Sequence, residues 1–220
     1  MQRRIILTAD GSHTVEVPDM QVTYHSRHGA VQESMHVFLR AGLEEARLRF
    51  PGEELAVFEM GFGSGLNALL TAMEAETDQL KIRYTAVEAF PLNPEEARLL
   101  NYGKELGEEE LFGKLHDAPW NEEVNITPGF TLQKLAGRLQ DIQNAHRFHL
   151  VYYDAFAPSA QPELWTEAIF RQVHGLLHPG GILTTYCSKG DVRRALQAAG
   201  FIVTKLPGPP GKREMVRANR

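Results

Sequence analysis

Residues 55–77, LAVFEMGFGSGLNALLTAMEAET, limit the fold more than any other stretch of the chain. A short apolar, β-prone run ends on Glu59 and Met60. Three glycines follow at alternate positions, Gly61, Gly63 and Gly65, and an apolar run at helical spacing begins at once. Glycine reaches backbone angles that a Cβ forbids, so the segment reads as strand, tight turn and helix. The same alternation continues to the C-terminus. Apolar runs at 55–60, 81–88, 123–127, 148–154 and 181–187 predict strands, and helical patterns fill 65–77, 94–106, 131–140, 162–176 and 190–199. Asn93-Pro94-Glu95-Glu96 and Gln161-Pro162-Glu163 mark two helix starts, with proline at the first helical position and acids in the first turn. AAGFIVTKL and KREMVRA, joined by PGPPGK, supply two closing strands. The expected fold is α/β, a mostly parallel doubly wound sheet with ligands at the carboxyl ends of its strands.

Ahead of this unit, IILTADGSHTVEV (5–17) is two alternating runs around Asp10-Gly11, a hairpin signal, and QVTYHS (21–26) offers a third strand. Residues 34–50 carry a helical pattern that ends before Pro51-Gly52. Residues 1–50 are therefore expected to form a β-hairpin and helix extension packed on a core domain of 51–220. A chain of 220 residues with 43% hydrophobic content supports one such core. No apolar stretch approaches the roughly 20 residues that cross a bilayer, so no membrane partner is expected. The single cysteine, Cys187, excludes an internal disulfide, and a cytoplasmic location follows as the default. Nine histidines show no zinc spacing, so no metal is expected, and nothing calls for an obligate protein partner.

The net charge of −5 argues against a nucleic-acid partner until its distribution is considered. From Lys189 onward eight basic residues face two acids, while the first 188 residues carry −11. A basic lobe on an acidic body can steer a polyanion to one face.

Four ligand chemistries compete for the glycine turn. A P-loop needs Lys-Ser/Thr after its last glycine, and no lysine follows here. A nucleophile elbow needs glycine two residues either side of its serine, but Ser64 has Phe62 and Leu66 there. The dinucleotide fingerprint places its third glycine one residue beyond Gly65. S-adenosylmethionine (SAM) remains. Glu59 would repel a pyrophosphate but complements a sulfonium and an ammonium, while the methionine carboxylate can use the N–H groups opening the next helix. Glu88, at the end of the next strand, is placed to hold ribose hydroxyls, a role it could fill equally for a dinucleotide.

The fourth strand ends in VYYDAFAPS (151–159). Methylation of nitrogen needs a neutral amine, and a carboxylate at Asp154 can orient it and receive its proton. Phe156 offers a flat face to a base, and Pro158 stiffens the loop. An Asp at this place signals amine chemistry rather than one substrate, because aminopropyl transferases share it.

These motifs resemble those of a known family, the methyltransferase component of the bacterial enzyme that completes 5-methylaminomethyl-2-thiouridine at the tRNA wobble position. The family run E-S-G-F-G-T-G-L-N is matched by Glu59 to Asn67, with Met60 and Ser64 as changes. E-x-F-P-L is met by Glu88, Phe90, Pro91 and Leu92, and D-G-F-A-P by Asp154, Phe156, Ala157 and Pro158, with Ala155 for glycine. Trp165, HPGGILTTYCSKGDVRRAL and Gly211 to Met215 match later signatures, so the resemblance runs from about residue 20 to the end. It implies a class I, Rossmann-like SAM methyltransferase. Cofactor residues would be Glu59, Gly61, Phe62, Gly63, Gly65, Asn67, Glu88, Ala89 and Asp154, with Asp154 and Phe156 catalytic. The anticodon loop of tRNA would meet Pro158, Trp165, Ser188, Lys189, Arg193, Arg194, Lys212 and Arg213, and also Tyr24 and Ser26 in the extension.

Three departures from the pattern stand out. Ala160 and Gln161 replace a frequent Lys-Asn, and Thr131 falls near an acid that relatives carry close to the adenine. The third is that relatives carry an FAD-dependent oxidase domain, for which a chain ending at Arg220 has no room. The implied activity is thus the SAM step alone, without FAD: methylation of the 5-aminomethyl group of the wobble uridine. The alternatives are a methyl- or aminopropyl-transferase for a small amine, and a non-catalytic tRNA-binding module.

Overall fold

The computed structural model describes residues 2–142 and 147–220. The chain opens with a three-stranded antiparallel sheet of β1 (Arg4–Leu7), β2 (His13–Val17) and β3 (Val22–Thr23). Asp10 fixes the first turn: its Oδ1 accepts from the Thr8 hydroxyl at 2.7 Å and from the Ser12 N–H at 3.1 Å. The expected third strand of 21–26 shrinks to two residues. The helix expected from residue 34 begins earlier, as α1 (Ala30–Ser34), continues as a π-helical stretch (Met35–Leu43) and ends as α2 (Glu44–Arg49). Gly42 lets this element lie on the sheet, because a Cβ there would meet Tyr152 and the Thr184 hydroxyl at 3.2 Å.

The core sheet follows, with β4 (Leu55–Met60), α3 (Leu66–Thr77) and β5 (Ile82–Glu88) close to expectation. The helix expected at 94–106 divides into α4 (Pro94–Arg98) and α5 (Tyr102–Leu106), and an unanticipated α6 (Glu109–Asp117) comes after it. A full capping box starts α4: the Asn93 side chain accepts from the Glu96 N–H at 2.8 Å and the Glu96 carboxylate accepts from the Asn93 N–H at 2.9 Å. Next come β6 (Glu123–Thr127) and β7 (Phe130–Ala136).

The expected helix at 131–140 is thus corrected to a strand. Phe130, Leu132 and Lys134 alternate inward, and the lysine conceals the period of two that marks a strand. Lys134 is buried because its ammonium donates to the Leu115 and His116 carbonyls at 2.9 and 2.8 Å, the open end of α6, and lies about 5 Å from the Phe62 and Trp120 rings.

The remaining elements are β8 (Phe148–Tyr153), α7 (Glu167–Leu176, preceded by a 3₁₀ turn at Pro162–Trp165), β9 (Leu177–Thr185), α8 (Gly190–Ala198), β10 (Ile202–Pro207) and β11 (Glu214–Asn219). The eight strands run in the order β10-β11-β9-β8-β4-β5-β7-β6. Five neighbours, β9-β8-β4-β5-β7, are parallel, and antiparallel strands close both edges. Successive residues serve opposite faces. Val57, Tyr84 and Leu150 pack with the π-helical stretch and α3, whereas Phe58, Val87 and Val151 pack with α7 and α8. The chain steps outward from β4 through β5 to β7, then returns to the other side of β4 as β8. That reversal opens a crevice at the carboxyl ends of β4 and β8. Among the described residues no helix is long and apolar enough to cross a membrane.

Candidate active site

A cavity of about 280 Å³ occupies that crevice. One wall is the glycine turn. Gly61, Gly63 and Gly65 adopt φ of +91°, +51° and +75°, values that favour glycine, and any side chain at Gly65 would strike His116 at 2.9 Å. Gly65 opens α3 without a side-chain cap, so the uncapped first turn lines the cavity with Leu66 and Asn67.

The floor is a linked pair of acids. The Asn67 amide nitrogen donates to Glu59 Oε1 at 2.9 Å and to Asp154 Oδ2 at 3.0 Å. Two carboxylate partners fix the amide orientation, since only the NH₂ end can serve both. Glu59 Oε2 and Asn67 Oδ1 are buried with no hydrogen-bond partner among the described residues. Burial and the nearby Asp154 push the Glu59 carboxyl well above the usual carboxylate range, against the bond from Asn67. Asp154 is pushed up to about 7, chiefly by desolvation and then by the charge of Glu33. A cation is the ligand such a floor complements. Glu88 completes the acidic lining; its oxygens accept from the Gly63 and Phe90 N–H groups at 2.9 and 2.8 Å, which aims the carboxylate across the cavity. These donors and acceptors suit a ligand that carries positive charge and a diol, as SAM does.

The remaining walls come from several segments. Phe62 and Ala89 line the cavity as the sequence implied, and so do Tyr24 and Phe156, whose rings meet edge to face at 5.2 Å. Tyr24 also rests on the glycine turn, 3.2 Å from where a Gly63 Cβ would stand. Trp165 is buried outside the lining and acts as a brace: its indole N–H donates to the Phe156 carbonyl at 2.7 Å. Pro158, Ser26 and Ser188 also lie outside the lining. Lys189, Arg194 and Arg213 are exposed, and Arg194 is paired with Asp191. Arg193 turns back to the Ser188 carbonyl at 3.2 Å, and Lys212 binds Glu33. Thr131 sits within β7 bonded to Asn125 at 2.8 Å and is not part of the cavity lining.

Sequence reasoning missed Gly137, Arg138, Gln140, Glu163 and Leu164 in the lining, and named Gln161 only as a departure. The misread helix hid the 137–140 loop. An alternation count that tolerated one lysine would have shown β7 ending there.

Residues 121–220 match a family model described as S-adenosyl-L-methionine-dependent methyltransferase. The chain is 33% identical over 215 residues to the tRNA 5-methylaminomethyl-2-thiouridine biosynthesis bifunctional protein of Chromobacterium violaceum, covering 87% of this chain and 31% of that one. It is 34% identical over 232 residues to the protein of the same name from Cupriavidus metallidurans, covering 97% and 33%. The chain thus spans about a third of the length of these relatives. The crystal structure of MnmC2 from Aquifex aeolicus superposes with a TM-score of 0.76 at 27% identity, covering 99% of this chain and 70% of that one. Spermidine synthase from Thermotoga maritima, at 15% identity and a TM-score of 0.56 over 98% of this chain and 72% of that one, shares the fold. Fold, acidic crevice and matches together define a class I SAM-dependent methyltransferase. Within that class, the chain is similar over most of its length to about a third of the length of the tRNA 5-methylaminomethyl-2-thiouridine biosynthesis bifunctional proteins.

Proposed function

We propose that the protein methylates the 5-aminomethyl nitrogen of the wobble uridine of tRNA, converting 5-aminomethyl-2-thiouridine to 5-methylaminomethyl-2-thiouridine in the cytoplasm. The proposal covers methyl transfer alone. The observation that carries it is the Asn67-bridged pair of Glu59 and Asp154 at the sheet reversal, with the Phe156 ring two residues beyond the acid.

SAM supplies an electrophilic methyl group on a sulfonium. Glu59 holds positive charge at the inner end of the cavity, and Glu88 holds the ribose. Asp154 accepts a hydrogen bond from the acceptor amine, keeps its lone pair aimed at the methyl carbon and receives the proton released on transfer. Its elevated pKa makes it a usable proton acceptor near neutral pH. Phe156 supports the base, which lies in a single-stranded loop and needs little unstacking. Holding both reactants in line removes most of the entropic barrier. The basic surface at Lys189, Arg193 and Arg213 is suited to flanking phosphates.

Incubation with labelled SAM and tRNA from cells lacking the modification, followed by nucleoside analysis, tests this reading. Label in 5-methylaminomethyl-2-thiouridine is the expected result. In a parallel incubation with added small amines, label in a methylated small amine, with none in tRNA, would replace it with the small-amine alternative.

A further inference from the structure

One ion pair near the acids, a buried carboxylate with a half-buried ammonium, has no part in that chemistry. Glu33 in α1 is 6% exposed; its Oε2 accepts from the Ser26 N–H at 2.7 Å, and its Oε1 accepts from Lys212 Nζ. Lys212 lies in the turn between β10 and β11, and its ammonium sits 4.0 Å from the centre of the Tyr186 ring. The Tyr186 hydroxyl in turn donates to the carbonyl of Ala155 at 2.8 Å, one residue beyond Asp154. The pair therefore joins the N-terminal extension, the C-terminal hairpin and the loop that carries the acid.

A buried ion pair is weak evidence of stabilisation, because desolvating two charges offsets their attraction. Its position suggests another use. After desolvation, the Glu33 charge is the next largest influence raising the Asp154 pKa, and the Lys212 charge opposes it. Other titratable groups also face Asp154: Glu59 from β4, Tyr84 from β5, Tyr102 from α5 and Tyr186 after β9. Burial keeps the three phenols neutral by raising their pKa values. His25, which faces the ion pair, is uncharged, its pKa lowered to about 4 by burial. The charges that act on Asp154 in opposite directions are thus those of Glu33 and Lys212.

We propose that the Glu33–Lys212 pair is a positioning device for methyl transfer, holding the Asp154 loop through Tyr186 and setting one negative and one positive charge beside that loop. This inference rests on the proposed role of Asp154. It also moves Lys212 from phosphate binding to control of the acid.

The test is SAM affinity, measured by calorimetry at a series of pH values on both sides of 7, with thermal midpoints recorded in parallel. In the unaltered protein, affinity rises with pH as Asp154 ionises. Glu33→Gln is expected to move that rise about one pH unit lower and Lys212→Met about one unit higher. The double variant E33Q/K212M leaves no unpaired buried charge, so it keeps the test open if a single variant fails to fold, and its rise returns near the original position. In an Asp154→Asn background, neither substitution should move the profile. Four coincident rising curves overturn the inference and leave the role of Asp154 standing. A flat curve in the unaltered protein overturns the inference, and the turnover of Asp154→Asn then decides by itself whether the acid serves the amine.

Discussion

The glycine turn at 61–65 and the basic segment from Lys189 onward are both runs enriched in one kind of residue, and the structure uses them in opposite ways. In the turn the enrichment serves one local geometry. Three left-handed glycines bend one strand end over another and bring Glu59, Asn67 and Glu88 to a single cavity. In the basic segment the enrichment is largely dispersed. Arg194, Lys205, Lys212 and Arg217 are paired with Asp191, Glu214, Glu33 and Glu45. The last two pairs span 179 and 172 positions. Backbone requirements are local and cannot be neutralised by the rest of the chain, whereas a side-chain charge can be claimed by any acid that folding brings near. A glycine spacing is therefore a firmer guide to a site than a charge surplus.

The largest expected effect breaks the turn side of this comparison. Asp154→Asn should lower turnover by about 10²- to 10⁴-fold in the tRNA assay, while SAM binding by calorimetry weakens by no more than about tenfold. Unchanged turnover would remove Asp154 from the chemistry.

Next is Glu59→Gln. SAM affinity should fall by about 1.5–3 kcal/mol, the usual worth of a hydrogen bond to a charged group. The thermal midpoint of the free protein should rise at neutral pH, since the substitution removes a desolvated charge. A lower midpoint would show that Glu59 is a structural acid.

The pH dependence of stability sharpens the same point. Both acids have folded-state pKa values above their unfolded ones, so the folded state binds more protons. Their contribution is fully present below the ordinary carboxylate range and is lost as pH rises through about 7 for Asp154. Urea midpoints of the free protein should fall over that window. Saturating SAM should flatten the fall.

The smallest effects probe the basic side. Removing Lys189 or Arg213 should reduce the salt dependence of tRNA binding by about 0.7 in the log–log slope for each phosphate left without its cation, whereas Arg194→Gln should leave it nearly unchanged. Equal effects at all three would mean that the Arg194–Asp191 pair opens on binding.

What is legible in the sequence follows the same division. The parallel strands show themselves as apolar runs, and Glu59, Glu88 and Asp154 are found because each stands at a strand end, where a parallel sheet presents its ligand groups. β7 is misread because a single inward lysine, satisfied by carbonyls 18 and 19 residues away, interrupts its alternation. With it go Gly137, Arg138 and Gln140. Asn67 is singled out only through the family run, and its bridging of two acids depends on the angle at which α3 leaves the turn. The pairing of Glu33 with Lys212 spans 179 positions and leaves no local trace.

That span has a consequence for the protein's birth. A ribosome completes Tyr24 and Glu33 long before it makes Asp154, and Lys212 comes later still. Before those stages the nascent chain lacks first one of the two acids at the pocket floor and then the cation that balances Glu33, so the donor molecule cannot template early folding. Assembly of the site is a late event, dependent on pairings of long sequence separation, which form slowly. Ribosome-bound chains shortened before β10 should therefore fail to retain SAM.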